Sequence, residues 1–253
     1  MSKNYAIAMQ KGGVGKTTSA INLAAGFAFA DYRTLLVDLD PQGNTTSGLT
    51  ALFEEVSGGA YELLTGAIPA EEAIIETSLN NLSLLPSGPD LNSLRADMAR
   101  SNSDFTELKQ GLEEIRAEYD RIIIDCPPSL GPLTLNAFAA VNEVLIPLQA
   151  EYYALEGLSQ LYSTIERVRE RLNPRLKLFA ILLTMYDRRT NLARDVREEV
   201  EKFFSGQVLK TSIPRNVKIS EAPGYGKPVI LHAPLSRGSK SYLRATEEVI
   251  YRE

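Results

Sequence analysis

The sequence is poor in the residues that build disulfides and the common metal cages. Its 253 residues include one cysteine and one histidine. A single cysteine cannot close an internal disulfide, and this usage is typical of a reducing cytoplasm. Zinc and iron–sulfur cages need several Cys or His ligands. The sequence therefore excludes a disulfide scaffold and argues against a metal-cluster scaffold.

Long apolar runs are also missing. No run reaches the roughly 18 residues expected of a membrane span, and the first residues, MSKNYAIAMQKGG, contain no secretory apolar core. The chain is 44% hydrophobic and 23% charged, which is ordinary for a globular protein. These features predict a cytoplasmic protein with no membrane partner.

The net charge of −5 is unevenly distributed. Residues 1–150 carry 9 Lys and Arg against 19 Asp and Glu, whereas residues 151–253 carry 18 against 13. Such asymmetry indicates a positively charged surface in the second half, which would suit a nucleic-acid ligand. Chance variation of surface charge along the chain is the simpler alternative.

Short apolar runs alternate with segments of helical spacing. Continuous apolar strands between helices predict a mostly parallel, twisted α/β sheet flanked by helices on both faces, in one domain spanning 1–253. The predicted strands are Asn4–Met9, Thr34–Asp38, Leu82–Pro86, Arg121–Asp125, Glu143–Leu148, Leu178–Met185 and Val208–Ile213. The predicted helices are Lys16–Ala30, Ser103–Tyr119, Leu155–Leu172, Leu192–Phe204 and Ser239–Arg252.

The most informative segment is QKGGVGKTT at residues 10–18. The general phosphate-loop pattern requires a glycine where Gln10 stands, so the strict pattern fails. Its physical parts remain: three glycines permit a nest of backbone N–H groups, and the following helix directs its positive end at the same anion. Lys16 is placed to reach the β- and γ-phosphates, and the Thr17 hydroxyl to ligate Mg²⁺.

The segment KGGVGKTT, with its additional Lys11, resembles the deviant Walker A motif of the ParA/MinD ATPases. LLVDLDPQGN, IIIDCPPS, EYYALEGLSQL, IPRNVKISEAP and GKPVILHAP–SRG resemble further motifs of the Soj-type chromosome-partition proteins, over almost the whole chain. The resemblance implies a P-loop ATPase of the deviant Walker A type that uses ATP and Mg²⁺. It implies nucleotide contacts from Lys11, Gly12, Gly13, Val14, Gly15, Lys16, Thr17, Thr18, Pro214 and Asn216.

Catalytic and metal roles also follow from the resemblance. It implies that Lys11 crosses a dimer interface to the partner's phosphates, as an arginine finger does. If the resemblance is left aside, the favoured interpretation of Lys11 is an ordinary solvated lysine. The resemblance assigns Asp40 to positioning the attacking water and Asp38 to the Mg²⁺ neighbourhood, although a turn cap before Pro41 is the alternative. Asp125 ends an apolar strand at the edge where α/β proteins bind ligands, and is expected to hold Mg²⁺.

The resemblance further implies a DNA-contacting surface on two loops in the basic half. Its expected residues are Arg188, Arg189, Arg215 and Lys218, with Lys210, Lys227 and Lys240 as candidates that would widen it; ordinary surface cations are the alternative. Contacts to phosphates would be independent of sequence and sensitive to salt. Tyr152 and Tyr153 are expected in the core rather than on a base-stacking surface, and Cys126 is expected to be a buried filler rather than a nucleophile.

The resemblance implies an ATP-bound homodimer that binds double-stranded DNA non-specifically, associates with the nucleoid, and hydrolyses ATP weakly until a ParB-like partner stimulates it. A MinD-like membrane ATPase is the leading alternative. Such proteins end in a basic amphipathic helix, whereas this sequence ends in YLRATEEVIYRE, with three acids and two arginines. A tyrosine kinase of related fold would carry a tyrosine-rich tail, and only Tyr242 and Tyr251 lie near the end.

Overall fold

The computed structural model describes residues 2–101 and 103–252. Within them, seven strands form one sheet in the order β3-β4-β2-β5-β1-β6-β7. Every pairing is parallel except that of β3 with β4. The strands are β1 (Lys3–Ile7), β2 (Thr34–Asp38), β3 (Ile75–Glu76), β4 (Leu82–Leu85), β5 (Arg121–Asp125), β6 (Glu143–Gln149) and β7 (Lys177–Thr184).

Helices connect the strands. In chain order they are α1 (Lys16–Phe29), α2 (Asn44–Ser47), α3 (Ala60–Thr65), α4 (Ala70–Ala73), α5 (Leu91–Arg100), α6 (Glu107–Glu113), α7 (Pro132–Ala140), α8 (Ala154–Arg171), α9 (Asn191–Phe203), α10 (Val217–Glu221), α11 (Val229–His232) and α12 (Arg237–Arg252). Short 3₁₀ turns cover Thr50–Leu52, Arg116–Glu118 and Ala222–Tyr225.

Successive residues of each central strand enter different halves of the core, as the alternation of side chains along a strand requires. On β5, Ile122 and Ile124 pack on one face of the sheet, and Ile123 packs on the other. Helices α1 and α12 cover the face that contains Ile123, and helices α7 and α8 help to cover the opposite face. The predicted α/β architecture with helices on both faces is confirmed.

The predicted strand Val208–Ile213 is wrong. Val208 makes an isolated parallel bridge to Ile181, but the chain then leaves the sheet. The N–H groups of Lys210 and Thr211 donate to the Glu248 carboxylate at 2.7 and 2.8 Å. The Leu209 N–H still donates to Ile181, so in a regular strand the next donor to β7 would be the N–H of Thr211, which the α12 carboxylate takes instead.

The predicted helix Ser103–Tyr119 is too long. The structure has α6 and a separate 3₁₀ turn, and Phe105 adopts a left-handed φ of 54°. A left-handed residue cannot continue an α-helix, so the helix begins after it. Helices α5 and α7 were not predicted from the sequence.

Among the described residues, no helix is both long and apolar enough to cross a membrane.

Candidate functional site

The phosphate loop connects the carboxyl end of β1 to the first residue of α1. Gly13 and Gly15 have φ values of 73° and 89°, in the left-handed region that glycine enters without a Cβ penalty. No side chain caps α1, so the first N–H groups of the helix have no side-chain partner. The loop and the helix terminus together present backbone donors suited to an anion.

A cavity of about 720 Å³ opens above this loop, a size suited to a small-molecule ligand. It is bounded on one side by the phosphate loop and on the other by a loop that lies about 200 residues later in the chain. The cavity brings together the expected nucleotide contacts Gly12, Gly13, Gly15, Lys16, Thr17, Thr18, Pro214 and Asn216, and also Asp40 and Arg215.

Two expected nucleotide contacts do not line this cavity. The Val14 side chain is buried in the core, and its backbone carbonyl accepts a hydrogen bond of 2.7 Å from the Thr184 hydroxyl. The only contribution left to Val14 is therefore its backbone N–H. The Lys11 side chain lies outside the cavity, where its ammonium group pairs with the Glu151 carboxylate. Both side chains of that pair are partly exposed.

Lys16 is a buried cation at the base of the cavity, with 7% of its surface exposed. Its Nζ donates to the Lys11 carbonyl oxygen at 3.1 Å. Desolvation lowers its pKa, and the carboxylates of Asp125 and Asp40 partly oppose this shift. A buried ammonium that points into a cavity is stabilised by an anion, as a phosphate group would provide.

Asp125 ends β5 and is fully buried. Its Oδ2 accepts a hydrogen bond of 2.8 Å from the Thr45 hydroxyl, and the Thr17 hydroxyl also bonds its carboxylate. Its Oδ1 has no partner among the described residues. Burial and, to a lesser extent, the nearby Asp38 raise the pKa of Asp125 to about 7, although its hydrogen bonds and the Lys16 ammonium oppose the shift. An orphaned carboxylate oxygen beside the Thr17 hydroxyl fits the oxygen ligands that Mg²⁺ prefers, directly or through water.

Asp38 lies beside Asp125, but its hydrogen-bond donor is Thr46 rather than Thr45. Its Oδ2 accepts hydrogen bonds from the backbone N–H and the hydroxyl of Thr46, at 2.8 and 2.7 Å. Burial raises its pKa to about 6 even though these bonds oppose the shift. Asp38 does not line the cavity, so its influence on a bound metal would be electrostatic.

Thr45 and Thr46 are the site residues that the sequence analysis missed. The motif containing the acid pair was recognised only as far as Asn44, and the two threonines follow immediately. A pair of hydroxyl residues just after two strand-end acids is a usable signal, because buried carboxylates need donors.

Asp40 is the acidic residue that faces the cavity. The N–H of Gln42 donates to its Oδ1 at 3.0 Å, and the Ser87 hydroxyl donates to its backbone oxygen at 2.6 Å. These bonds fix the turn that follows β2. Among residues 2–101 and 103–252, its other carboxylate oxygen accepts no hydrogen bond, so it can bind a water molecule in the cavity.

Cys126 and the pair Tyr152–Tyr153 were all expected in the core. Cys126 is fully buried, and burial raises the pKa of its thiol well above the usual value, so it suits packing rather than nucleophilic attack. The core assignment of Tyr152 and Tyr153 is wrong: they are 78% and 68% exposed, with ring centroids 5.1 Å apart. They occupy the turn between β6 and α8, beyond the packed sheet.

The four expected DNA contacts are all exposed. Arg188, Arg189 and Arg215 lie in loops as predicted, whereas Lys218 lies in the short helix α10, which follows the second loop directly. Hydrogen bonds between Tyr186 and Ile213 and between Ile213 and Leu183 hold the later loop against the end of β7. Arg189 forms a bidentate pair with Asp187 at 2.9 and 2.8 Å, and Lys218 pairs with Glu221 at 2.7 Å. Arg215 lines the nucleotide cavity, whereas Arg188 lines a separate one.

Known proteins with similar sequence and structure agree with this geometry. A sequence profile described as an AAA domain matches residues 2–178. The chromosome partitioning protein ParA of Myxococcus xanthus (strain DK1622) is 52% identical, over 98% of this chain and 87% of that protein. The sporulation initiation inhibitor protein Soj of Bacillus subtilis (strain 168) is 49% identical, over 98% of both chains.

A similar solved structure contains a nucleotide and magnesium. The cobyrinic acid a,c-diamide synthase from Mycobacterium smegmatis, with bound ADP and magnesium, matches with a TM-score of 0.83 and 35% identity. The match covers 98% of this chain and 93% of that chain.

The glycine-rich loop, the following helix and the strand-end acids define a P-loop nucleotide-binding protein. Its similarity to ParA of Myxococcus xanthus and Soj of Bacillus subtilis over almost the whole chain narrows the family further. The chain belongs to the ParA/MinD family of P-loop ATPases, among the ParA/Soj chromosome-partitioning proteins.

Proposed function

We propose that this protein is a DNA-partitioning ATPase that cycles between an ATP-bound homodimer on DNA and a released form. One observation carries the proposal. Lys16, Thr17 and Asp40 face one cavity, while the additional Lys11 lies outside it on an exposed surface. A lysine in this position can serve the nucleotide of a second subunit without competing with Lys16.

In the proposed hydrolysis, each residue of the site has a separate role. The N–H groups of the loop and the Lys16 ammonium would bind the β- and γ-phosphates, and Pro214 and Asn216 would bound the adenine side of the cavity. Asp40 would orient the attacking water through its free carboxylate oxygen. Mg²⁺ held by Thr17 and Asp125 would neutralise phosphate charge. Lys11 of the second subunit would stabilise the charge that develops in transfer.

Binding of a second subunit requires Lys11 to leave Glu151. The pair is partly exposed, and such pairs contribute only about 0.2–1 kcal/mol. Lys11 can therefore exchange Glu151 for phosphates at small cost, which supports slow hydrolysis in the monomer and faster hydrolysis in the dimer.

The proposed DNA surface consists of Arg188, Arg189, Arg215 and Lys218, and it would associate the dimer with the nucleoid. The net positive second half of the chain supports it. A ParB-like partner would stimulate hydrolysis and release the dimer. The acidic first half suits a basic activating segment in that partner.

Co-sedimentation with duplex DNA in ATP, in ADP and without nucleotide tests this function. ATP-dependent binding to unrelated duplexes is expected. Arg189→Ala removes one phosphate contact per subunit, so the salt slope of the dimer should fall by about 1.8, at roughly 0.9 per phosphate. Arg171→Ala is the matched control, since it lies at the exposed end of α8 near the amino end of β7, whereas Arg189 follows the carboxyl end of that strand. Equal binding in all nucleotide states, or binding to anionic vesicles instead of DNA, would reject the proposal.

A further inference from the structure

A second cavity, of about 470 Å³, lies beside the nucleotide cavity. Its lining includes four basic residues, no acidic residue and the hydroxyls of two serines. Those six residues are Arg188, Arg237, Lys240, Arg244, Ser212 and Ser241. We call this the α12 cleft, since four of the six belong to that helix.

The helix places its three cations in one row. Arg237, Lys240 and Arg244 follow the i, i+3, i+7 spacing that puts residues on one side of a helix. All three are exposed, whereas Tyr242, Ala245 and Val249 on the other side are buried in the core. The packing of α12 therefore fixes which way the row faces, and the loop after β7 adds Arg188 opposite it.

The charge of this cleft is uncompensated. Among residues 2–101 and 103–252, none of its four cations forms an ion pair with a carboxylate. By contrast, two of the expected DNA contacts, Arg189 and Lys218, are paired with Asp187 and Glu221. Water screens the mutual repulsion of these exposed cations, but together they attract a ligand that carries several negative charges.

Arg188 makes the α12 cleft continuous with the surface already proposed for DNA. Pro214 lines both the cleft and the nucleotide cavity, so one loop forms a wall of each. A ligand that spans the cleft and this surface needs a series of phosphates, as the backbone of duplex DNA provides. Guanidinium groups suit such phosphates, and serine hydroxyls add neutral donors.

We propose that the α12 cleft binds the phosphate backbone of duplex DNA, with Arg237, Lys240 and Arg244 as contacts in addition to the two predicted loops. The inference rests on the proposed function. It predicts sequence-independent binding, because these groups reach phosphates and not base edges. It also adds to the DNA surface three cations on one helix, outside both predicted loops, that have no carboxylate partner among the described residues.

The test compares Lys240→Ala/Arg244→Ala with Arg171→Ala/Arg175→Ala. Each variant loses two exposed cations per subunit, and the control pair lies near the amino end of β7, away from the cleft. DNA affinity is measured with ATP across a salt series on two unrelated duplexes. The cleft variant should lower the salt slope by up to about 3.6 per dimer, at roughly 0.9 per phosphate. The control should leave the slope unchanged.

Circular dichroism and ATP-dependent dimerisation, unchanged in both variants, establish that folding is intact. Should the double variant fail to fold, Arg237→Gln alone is expected to lower the slope by about 1.8. An unchanged slope in a folded cleft variant would remove α12 from the DNA surface while leaving the proposed function standing. A wild-type protein without ATP-dependent DNA binding would instead reject the function itself. Loss of binding to mixed phosphatidylglycerol–phosphatidylcholine vesicles, with DNA binding retained, would assign the cleft to a membrane and overturn the inference.

Discussion

Asp38 and Asp125 are register partners at the carboxyl ends of the adjacent parallel strands β2 and β5, and both are fully buried. Each carboxylate accepts a hydrogen bond from a different threonine, Thr46 for Asp38 and Thr45 for Asp125. Two buried acids this close cannot both ionise cheaply, and burial raises their pKa values to about 6 and about 7. A divalent cation would remove this cost.

The pair predicts how stability varies with pH when no metal is present. Because the folded-state pKa values lie above the ordinary value of 3.8, the folded protein binds more protons than the unfolded chain between about pH 4 and 7. The free energy of unfolding should fall as pH rises through this window, by about 1.4 kcal/mol per pH unit for each excess proton. Urea unfolding in a chelator at several pH values measures it. Asp125→Asn should flatten the profile, and a stability that rises instead would contradict the assignment.

Thr46→Val should destabilise the protein by about 1–3 kcal/mol, the cost of a buried acceptor that loses its donor. The hydroxyl of Thr46 donates to Asp38 and accepts from the N–H of Ser87, and valine has the same shape without it. The loss should be larger at pH 8 than at pH 5, because the bond favours the ionised carboxylate. Thr46→Ser is the control and should retain most of the stability in urea unfolding at both pH values.

Lys16→Ala should weaken ATP binding by roughly 10- to 150-fold, the loss of about 1.5–3 kcal/mol for a charged hydrogen bond. Lys16 is the buried cation at the cavity base, and no other lysine lines that cavity among the described residues. Equilibrium binding of a fluorescent ATP analogue measures the change. Lys109→Ala, on an exposed part of α6, should bind like the wild type. Unaltered affinity in Lys16→Ala would remove the lysine from the phosphates.

Asp40→Ala should bind ATP and dimerise, but its hydrolysis should fall by about 10²-fold or more, as expected for loss of a positioned catalytic carboxylate. Asp40→Asn tests the same role while keeping an acceptor for the Gln42 N–H. Single-turnover hydrolysis and sizing in ATP separate chemistry from assembly. Normal hydrolysis by the asparagine variant would show that the charge of Asp40 is not used.

Gly12→Val should bind ATP yet fail to dimerise. A Cβ added at Gly12 meets nothing within 4 Å in the single chain, so the variant should fold and load nucleotide. Gly12 adjoins Lys11, at the proposed contact with a second subunit, where a branched side chain would hold the backbones apart. Analytical sizing in ATP gives the result, with Gly12→Ala expected to be intermediate. A normal ATP-dependent dimer of the valine variant would place Gly12 outside the interface.

Much of the fold follows from the sequence, since strands β2 and β5 were predicted at their observed bounds and helices α1 and α8 to within one residue at each end. Their apolar runs and helical spacing are local signals that packing reinforces. Val208–Ile213 carries a similar apolar signal but leaves the sheet, because Glu248, about 37 residues later, takes its backbone donors. No local pattern encodes that competition.

For the candidate site too, some features follow from the local sequence and others only from the tertiary structure. The sequence by itself determined the phosphate loop, since Gly13 and Gly15 adopt left-handed backbone that glycine favours and Lys16 begins the helix that follows. Tertiary structure alone decided which charges remain uncompensated. The pairing of Lys11 with Glu151, 140 residues later in the chain, and the orphaned oxygen of Asp125 depend on where folded segments meet. The α12 cleft arises in the same way, because packing of its apolar side aims three cations toward Arg188.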